Sequence, residues 1–183
     1  MSNASPPTDV DAEAEKAVED VLGNPEEMAE MLQNFGKNGR SFKDFTALTP
    51  ESMEVFYMVA HTQYGAGKYE DAEKVFRLLS VLDHFDTRFW KGLAASRENQ
   101  GKHEEAVQAY SYLTLLDMKD PYPSFHAAKN LLAMGKVQEA KAALQAAIFN
   151  SQDNEENASL HQEAKAMMEL VEKGEKDIEE AAK

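Results

Sequence analysis

The sequence predicts an all-α fold in which three pairs of antiparallel helices stack into a right-handed α-solenoid, with N-terminal helices before them and a C-terminal capping helix after them. One observation is a repeated hexapeptide: GKYEDA at 67–72 recurs as GKHEEA at 101–106 and as GKVQEA at 135–140. The offset is 34 residues both times. The other is that apolar residues at helical spacing surround each copy, and helix-capping residues precede the segments between them.

A period of about 34 residues is typical of the tetratricopeptide repeat, in which a tight turn joins two antiparallel helices. Each glycine of the hexapeptide is expected to close a first helix with a positive φ, which glycine adopts freely. Each alanine is expected where the second helix passes close to the first. These residues are Gly67, Gly101 and Gly135, and Ala72, Ala106 and Ala140.

The segment before the repeats has two parts. Residues 1–8 are rich in Ser, Asn and Pro and are expected to be disordered. Residues 9–48 are predicted to hold the N-terminal helices and a connector. Asn24, with Pro25 and two acids after it, predicts the start of one such helix. The apolar residues of that helix are Met28, Met31, Leu32 and Phe35.

The repeat block is predicted to span residues 49–151. Its six helices are expected at 50–66, 69–82, 87–100, 103–117, 121–134 and 137–150. Thr49 and Pro50 predict the first helix start, and Asp86 and Asp120 are natural N-caps of the third and fifth helices. The large side chains expected to pack beside the repeated alanines are Phe56, Val59, Phe76, Leu79, Trp90, Leu93, Tyr110 and Leu113. The third repeat has Ser124, Ala127, Leu144 and Ala147 at the matching positions.

Residues 152–183 are predicted to form the capping helix and an acidic tail. A solenoid leaves the last apolar face of its repeats open, and a terminal helix usually covers it. The covering face would carry Leu160, Ala164, Met167, Met168 and Val171. Residues 174–183 are expected to be a charged, frayed end.

The net charge of the 183 residues is −14, and it is concentrated at the two ends. Residues 1–35 carry nine acids and one lysine, residues 150–183 carry ten acids and four lysines, and the segment between them is neutral. Such a charge repels nucleic acid. The absence of cysteine suits a reducing cytoplasm. No apolar run is long enough to span a membrane, and no signal peptide is recognised.

The first helices of stacked repeats are expected to line a concave surface. The inward positions are Glu54, Tyr57, His61 and Tyr64, then Arg88, Lys91, Ala95 and Glu98, then Tyr122, Phe125, Lys129 and Leu132. Aromatic side chains there suit the capture of an extended peptide, because they add contact area at low entropic cost. We therefore expect four of them to be partly open to solvent: Tyr57, Tyr64, Tyr122 and Phe125. The alternative is that they pack against neighbouring helices as ordinary core.

The residues predicted to bind a peptide are Tyr57, His61, Tyr64, Arg88, Lys91, Tyr122, Phe125 and Lys129. Some repeats of this kind hold the C-terminal carboxylate of Hsp70 or Hsp90 with lysine, asparagine and arginine at fixed inward positions. Those positions hold Tyr57, His61, Gly92, Tyr122 and His126 here, so that clamp is absent.

The sequence offers no catalytic constellation. His103 has no second histidine at zinc-ligand spacing, and neither a phosphate loop nor a Ser/His/Asp grouping is present. We therefore expect no catalytic residue, no metal site and no cofactor, and a protein that is not an enzyme.

Residues 49–150 resemble the class II chaperones of bacterial type III secretion, the LcrH/SycD/IpgC/SicA group. The resemblance rests on GKYEDA followed by KVF at 74–76 and VLDHFD at 81–86, and on RFWKGLAA at 88–95. It continues with YSY at 110–112, DMKDP at 117–121 and FHAA at 125–128.

This resemblance implies a cytoplasmic chaperone of a Gram-negative bacterium with three repeats. Its clients would be two hydrophobic translocator proteins of the secretion system, which it would keep soluble and export-competent. An extended client segment would lie in the concave groove, where tyrosines of the family match Tyr57 and Tyr64. Many members dimerise through N-terminal helices, which makes four residues candidates for a homodimer contact: Met28, Met31, Leu32 and Phe35. The alternative is a general repeat adaptor that binds an unrelated soluble peptide or protein.

Overall fold

The structure is a computed structural model that describes residue 41 and residues 48–181, except the side chain of residue 179. The chain divides into two compact units, residues 1–53 and residues 54–183. In the first unit the described residues are 41 and 48–53. The predicted N-terminal helix that carries Met28, Met31, Leu32 and Phe35 lies outside the described residues.

Residues 48–181 are helical, with no strand among them. The helices are α1 (Pro50–Gly65), α2 (Tyr69–Leu82), α3 (Thr87–Asn99), α4 (His103–Leu116), α5 (Pro121–Ala133), α6 (Val137–Ser151) and α7 (Ala158–Ala181). A 3-10 turn, Glu155–Asn157, precedes α7. The six predicted repeat helices are confirmed, and no predicted end differs from the observed one by more than one residue.

The turns and caps that the sequence predicts are present. Gly67, Gly101 and Gly135 have φ values of 75°, 72° and 72°, in the left-handed region that favours glycine. Asp86 and Asp120 cap α3 and α5, because Oδ1 of each accepts a hydrogen bond at 2.9 Å from the backbone N–H two residues later. These local devices fix where each helix of a pair begins and ends.

Each helix from α2 to α6 packs against the next helix in the chain. The repeated alanines lie at the close crossings, and all three are fully buried: Ala72, Ala106 and Ala140. One core cluster joins Tyr110 and Leu113 of α4 to Ala94 of α3 and Ala127 of α5, with Trp90 packed against it. The antiparallel pairing predicted from the 34-residue period is therefore the packing that is observed.

Two of the predicted core residues are exposed. Phe56 and Val59 of α1 are 38% and 45% exposed, so their assignment to the core was wrong. For Val59 the physical reason is helical geometry. Tyr57 and the fully buried Ala60 face the neighbouring helices, and Val59 lies on the opposite side of α1 from Tyr57.

The capping helix α7 packs against α6 and, through fewer contacts, against α5. Ala164 and Met168 of α7 join Phe125, Leu144 and Ala147 in a second core cluster. The expected fraying from residue 174 was wrong, because α7 continues to Ala181. Lys141 Nζ and Gln138 Nε2 of α6 bind the Glu175 carboxylate at 2.6 and 2.7 Å, which ties this part of α7 to the last repeat. None of the helices in the described part of the chain is long and apolar enough to cross a membrane.

Candidate peptide-binding groove

A cavity of about 250 Å³ lies between the first helices of the three repeats. Its lining residues are Tyr57, His61, Tyr64, Phe76, Arg88, Lys91, Gly92, Ala95 and Tyr122. Six of the eight residues predicted to bind a peptide are among them: Tyr57, His61, Tyr64, Arg88, Lys91 and Tyr122. The cavity is smaller than the ~300–1,000 Å³ typical of small-molecule sites. It is suited to side chains of a peptide rather than to a whole cofactor.

Tyr57 of α1 is half-buried and forms one wall of the cavity. Its ring centroid lies 6.0 Å from that of Phe76 and 5.9 Å from that of Phe89. The guanidinium carbon of Arg88 lies 4.8 Å from the centre of the Tyr57 ring, within cation–π range. The ring is therefore held by α2 and α3 while part of it remains accessible to a ligand.

Tyr64 lies seven residues after Tyr57, about two helical turns further along α1, and is also half-buried. Asn99 Nδ2 of α3 donates a hydrogen bond to its hydroxyl oxygen at 3.0 Å. The Tyr69 ring packs edge-on against it, with centroids 5.3 Å apart. Burial raises the pKa of the Tyr64 hydroxyl, so this group is a neutral hydrogen-bonding partner at physiological pH.

The floor of the cavity is formed by Phe76 and by Gly92 in the middle of α3. From the sequence, Gly92 was singled out only as a position where the carboxylate clamp is missing. Its role is steric, because a Cβ atom at this position would lie 2.4 Å from the Phe76 ring. A glycine in the interior of a helix, where it lowers helix stability, was the available signal.

Both basic side chains that line the cavity are paired with acids. Arg88 Nη2 lies 2.8 Å from Asp86 Oδ2, and Arg88 Nη1 lies 3.1 Å from Glu54 Oε2 on α1. Hydrogen bonding to Asp86 raises the pKa of Arg88 further above its ordinary value. Lys91 Nζ lies 2.8 Å from Asp120 Oδ2 and 5.3 Å from the centre of the Tyr122 ring. Arg88 and Lys91 thus contact the aromatic walls, and acidic side chains of the same chain neutralise their charges.

Next to the cavity, Glu98 of α3 joins three helices. Its Oε2 accepts a hydrogen bond from the Tyr110 hydroxyl at 2.7 Å and lies 2.9 Å from His126 Nδ1. Its Oε1 lies 3.1 Å from Lys129 Nζ. Burial alone would raise the pKa of Glu98, but the hydrogen bonds from His126, Tyr110 and Lys129 outweigh burial and lower the pKa to about 2. Tyr122 packs on His126, with ring centroids 4.2 Å apart, which connects this cluster to the cavity wall.

Two of the predicted binding residues do not line the cavity. Phe125 is only 6% exposed and packs with Leu144 and Met168, so the expectation that it is open to solvent was wrong. The reason is that α7 covers this side of the third repeat. Lys129 has a side chain that is 40% exposed, and it binds Glu98 instead of reaching the cavity.

Known proteins share this architecture. The tetratricopeptide repeat family matches residues 53–86 and 88–120. The low calcium response locus protein H of Yersinia pestis is 37% identical over 140 residues, which cover 76% of this chain and 83% of that protein.

Two solved relatives contain a bound partner. Yersinia enterocolitica SycD in complex with a peptide of the translocator YopD matches with a TM-score of 0.68 at 38% identity, over 71% of this chain and 99% of SycD. Pseudomonas aeruginosa PcrH in complex with the chaperone-binding region of PopD matches with a TM-score of 0.68 at 36% identity, over 70% of this chain and 97% of PcrH. PcrH also forms a complex with the chaperone-binding region of PopB, and SycD crystallises as an alternative dimer.

The identity to a relative extends over most of both chains, and this chain carries tetratricopeptide repeats. The chain therefore belongs to the family of class II type III secretion chaperones, the tetratricopeptide-repeat chaperones of translocator proteins.

Proposed function

We propose that this protein is a cytoplasmic chaperone of a Gram-negative bacterium that binds two hydrophobic translocator proteins of a type III secretion system. An extended segment of each client would occupy the groove formed by α1, α3 and α5. The observation that carries the proposal is the aromatic-lined cavity between these helices in a family whose solved members hold translocator segments.

The chemistry of the groove supports this role. Phe76 and the bare backbone of Gly92 give an apolar floor, while Tyr57, Tyr64 and Tyr122 give walls with apolar rings and polar hydroxyls. Rigid aromatic walls lose little side-chain entropy when a peptide binds. An apolar client side chain would pack on the floor while client backbone groups form hydrogen bonds with the tyrosine hydroxyls.

Binding alone is sufficient for the proposed activity. A chaperone that occupies the aggregation-prone part of a translocator lowers the concentration of free client by mass action, without ATP or catalysis. We accordingly propose no catalytic residue, metal or cofactor.

We propose the following division of labour along the chain. Residues 49–151 bind the client, and residues 152–183 form the capping helix and its tail. Residues 9–48 would contribute to a homodimer through Met28, Met31, Leu32 and Phe35. The alternative dimer of SycD supports a self-associating family.

The proposal predicts that genes for large proteins with long apolar segments lie beside this one, and co-expression with their products tests it. We expect an otherwise insoluble neighbour to become soluble and to co-purify with this chain. The double variant Tyr57→Ala, Tyr64→Ala should lose the client while its helix content is unchanged. Tyr112→Ala is the matched control, because Tyr112 lies on α4 against Trp90 and outside the cavity lining.

The two alternatives give different results. Neighbours that stay insoluble while this protein elutes alone would leave only a repeat adaptor, whose ligand is then sought among soluble peptides. A client retained by the double tyrosine variant would show that the groove is not the binding surface.

A further inference from the structure

The groove neutralises its own cations. In the described part of the chain, each lysine and arginine at a predicted inward position is paired with an acid. These pairs are Arg88 with Asp86 and Glu54, Lys91 with Asp120, and Lys129 with Glu98. A client carboxylate entering the groove would therefore find each of these cationic partners already occupied.

Glu98 differs from the other acids of this set. Asp86 and Asp120 are N-caps that bind backbone N–H groups, so helix capping explains their presence. Glu98 lies in the last turn of α3, three residues after Ala95 of the cavity lining, where a side chain cannot serve as an N-cap. Its side chain is only 18% exposed, and its contacts with Tyr110, His126 and Lys129 are all to side chains. Capping does not explain it.

We propose that Glu98 is a specificity-determining residue of the groove, which excludes client segments that carry an acidic side chain beside the third repeat. This inference rests on the proposed function. The Glu98 carboxylate holds His126 and Lys129 where a client carboxylate would otherwise bind them. An incoming acid would then meet a like charge beside cations that are already paired, which is how an interface rejects a wrong partner.

The charge of Glu98 is constant under physiological conditions. The hydrogen bonds that it accepts keep its pKa near 2, and Lys129 and His126 bind the ionised form. The exclusion would therefore operate at every pH at which the complex with a client forms. A Gln at this position has nearly the same shape and can still accept the Tyr110 hydrogen bond with its one oxygen. Its NH2 group would face Lys129 Nζ, so Glu98→Gln removes the charge and releases Lys129 from its partner.

The test is a paired scan of the client segment that binds the groove. Each residue of the peptide is replaced in turn by Glu and, separately, by Gln, and the ratio of the two Kd values isolates the charge effect. With the wild-type protein we expect one or two positions where the Glu peptide binds about tenfold or more weakly than the Gln peptide. At those positions Glu98→Gln should reduce the ratio to near one, whereas Lys129→Gln should increase it.

Glu104→Gln is the control variant, because Glu104 is exposed in the first turn of α4 and outside the groove. It should leave every ratio unchanged. A Glu98→Gln ratio profile equal to that of the wild type would overturn the inference even though the parent peptide binds. If Glu98→Gln fails to fold, Lys129→Gln provides the test, because it must increase the ratio of the two Kd values. An unchanged ratio for Lys129→Gln would then overturn the inference.

A second measurement separates this inference from the proposed function. If the parent peptide does not bind the wild type, the proposed function fails, and a hexaglutamate peptide becomes the probe. Titrated into labelled protein, it should shift the NMR signals of His126 and Lys129 in Glu98→Gln and leave them in place in the wild type. Equal behaviour of the two proteins would refute the role of Glu98 independently of any client.

Discussion

The ring of Phe76 occupies the space into which a side chain at Gly92 would project. A Cβ atom on Gly92 would lie 2.4 Å from both Cε1 and Cζ of Phe76, far inside van der Waals contact. Phe76 is itself only 2% exposed, so its ring has little room to move. The close approach of α2 and α3 at this point forms the floor of the groove.

Replacing Gly92 with Ala is predicted to destabilise the fold by about 1–3 kcal/mol, because the overlap with Phe76 outweighs the better helix propensity of Ala. Client binding should weaken as well, since the floor is displaced. Gly174→Ala in α7 is the matched control, because nothing lies within 4 Å of a Cβ there. It should instead stabilise by about 0.5–1 kcal/mol. Urea unfolding of both variants checks this, and equal effects would disprove the steric role of Gly92.

Gly101→Ala is predicted to destabilise the second repeat although the site is open. No atom lies within 4 Å of a Cβ at Gly101, but its φ of +72° is strained for an L-residue. The expected cost is about 1–2 kcal/mol. Gly65→Ala serves for comparison, because Gly65 also has open space and lacks a positive φ. In thermal unfolding, Tm should be lower for Gly101→Ala and not for Gly65→Ala. An unchanged Tm for Gly101→Ala would show that the positive φ of Gly101 causes no strain in an alanine.

Stability is predicted to depend on acid pH through Glu73. Its carboxylate is 10% exposed and lies 3.1 Å from Arg97 Nε and 2.7 Å from Lys102 Nζ. Burial alone would raise the pKa of Glu73, but the hydrogen bonds from Lys102, Arg97 and Gln100 lower it from 4.5 to about 2. A carboxylate whose pKa is lower in the folded state stabilises the fold at pH values above its unfolded-state pKa. That contribution is lost as the pH falls towards the folded-state pKa.

The free energy of unfolding should therefore fall between about pH 5 and pH 2, with a contribution from Glu73 on the order of 3 kcal/mol. Glu73→Gln should be less stable at pH 7 and should show a flatter pH dependence across this range. Glu104→Gln, at an exposed position, should follow the wild-type curve. Parallel curves for the wild type and Glu73→Gln in denaturant titrations would rule out this contribution.

The capping helix is predicted to contribute through Met168 and not through Leu170. Met168 is 8% exposed and packs with Phe125 and Leu144, whereas Leu170 is 71% exposed. Met168→Ala should cost about 2–3 kcal/mol by leaving a cavity in the third-repeat core. Leu170→Ala should change stability by less than about 0.5 kcal/mol. Chemical unfolding distinguishes them, and similar costs would mean that α7 does not act as a lid through this face.

The distribution of charge in the groove was visible only in part from the sequence. Arg88, Lys91 and Lys129 were recognised as inward residues, as were Glu54 and Glu98, but the pairing of these cations with acids was not predicted. Glu54 is one repeat away from Arg88, and Glu98 bonds to His126 and Lys129 from a different helix pair. A sequence pattern gives the face on which each side chain lies and not which side chains meet across helices.

The sequence by itself determined the repeat architecture. Local backbone preferences determine the helix ends, the N-caps at Asp86 and Asp120 and the three positive-φ glycines. The 34-residue period determines the buried alanines. Local preferences and a repeat period can both be read from the order of residues along the chain. Tertiary structure alone decided which inward residues are open. Tyr122 and Phe125 stand three residues apart on one face of α5, yet Tyr122 lines the cavity and Phe125 is core. The difference arises because α6 and α7 cover Phe125, and burial by a distant part of the chain leaves no local trace in the sequence.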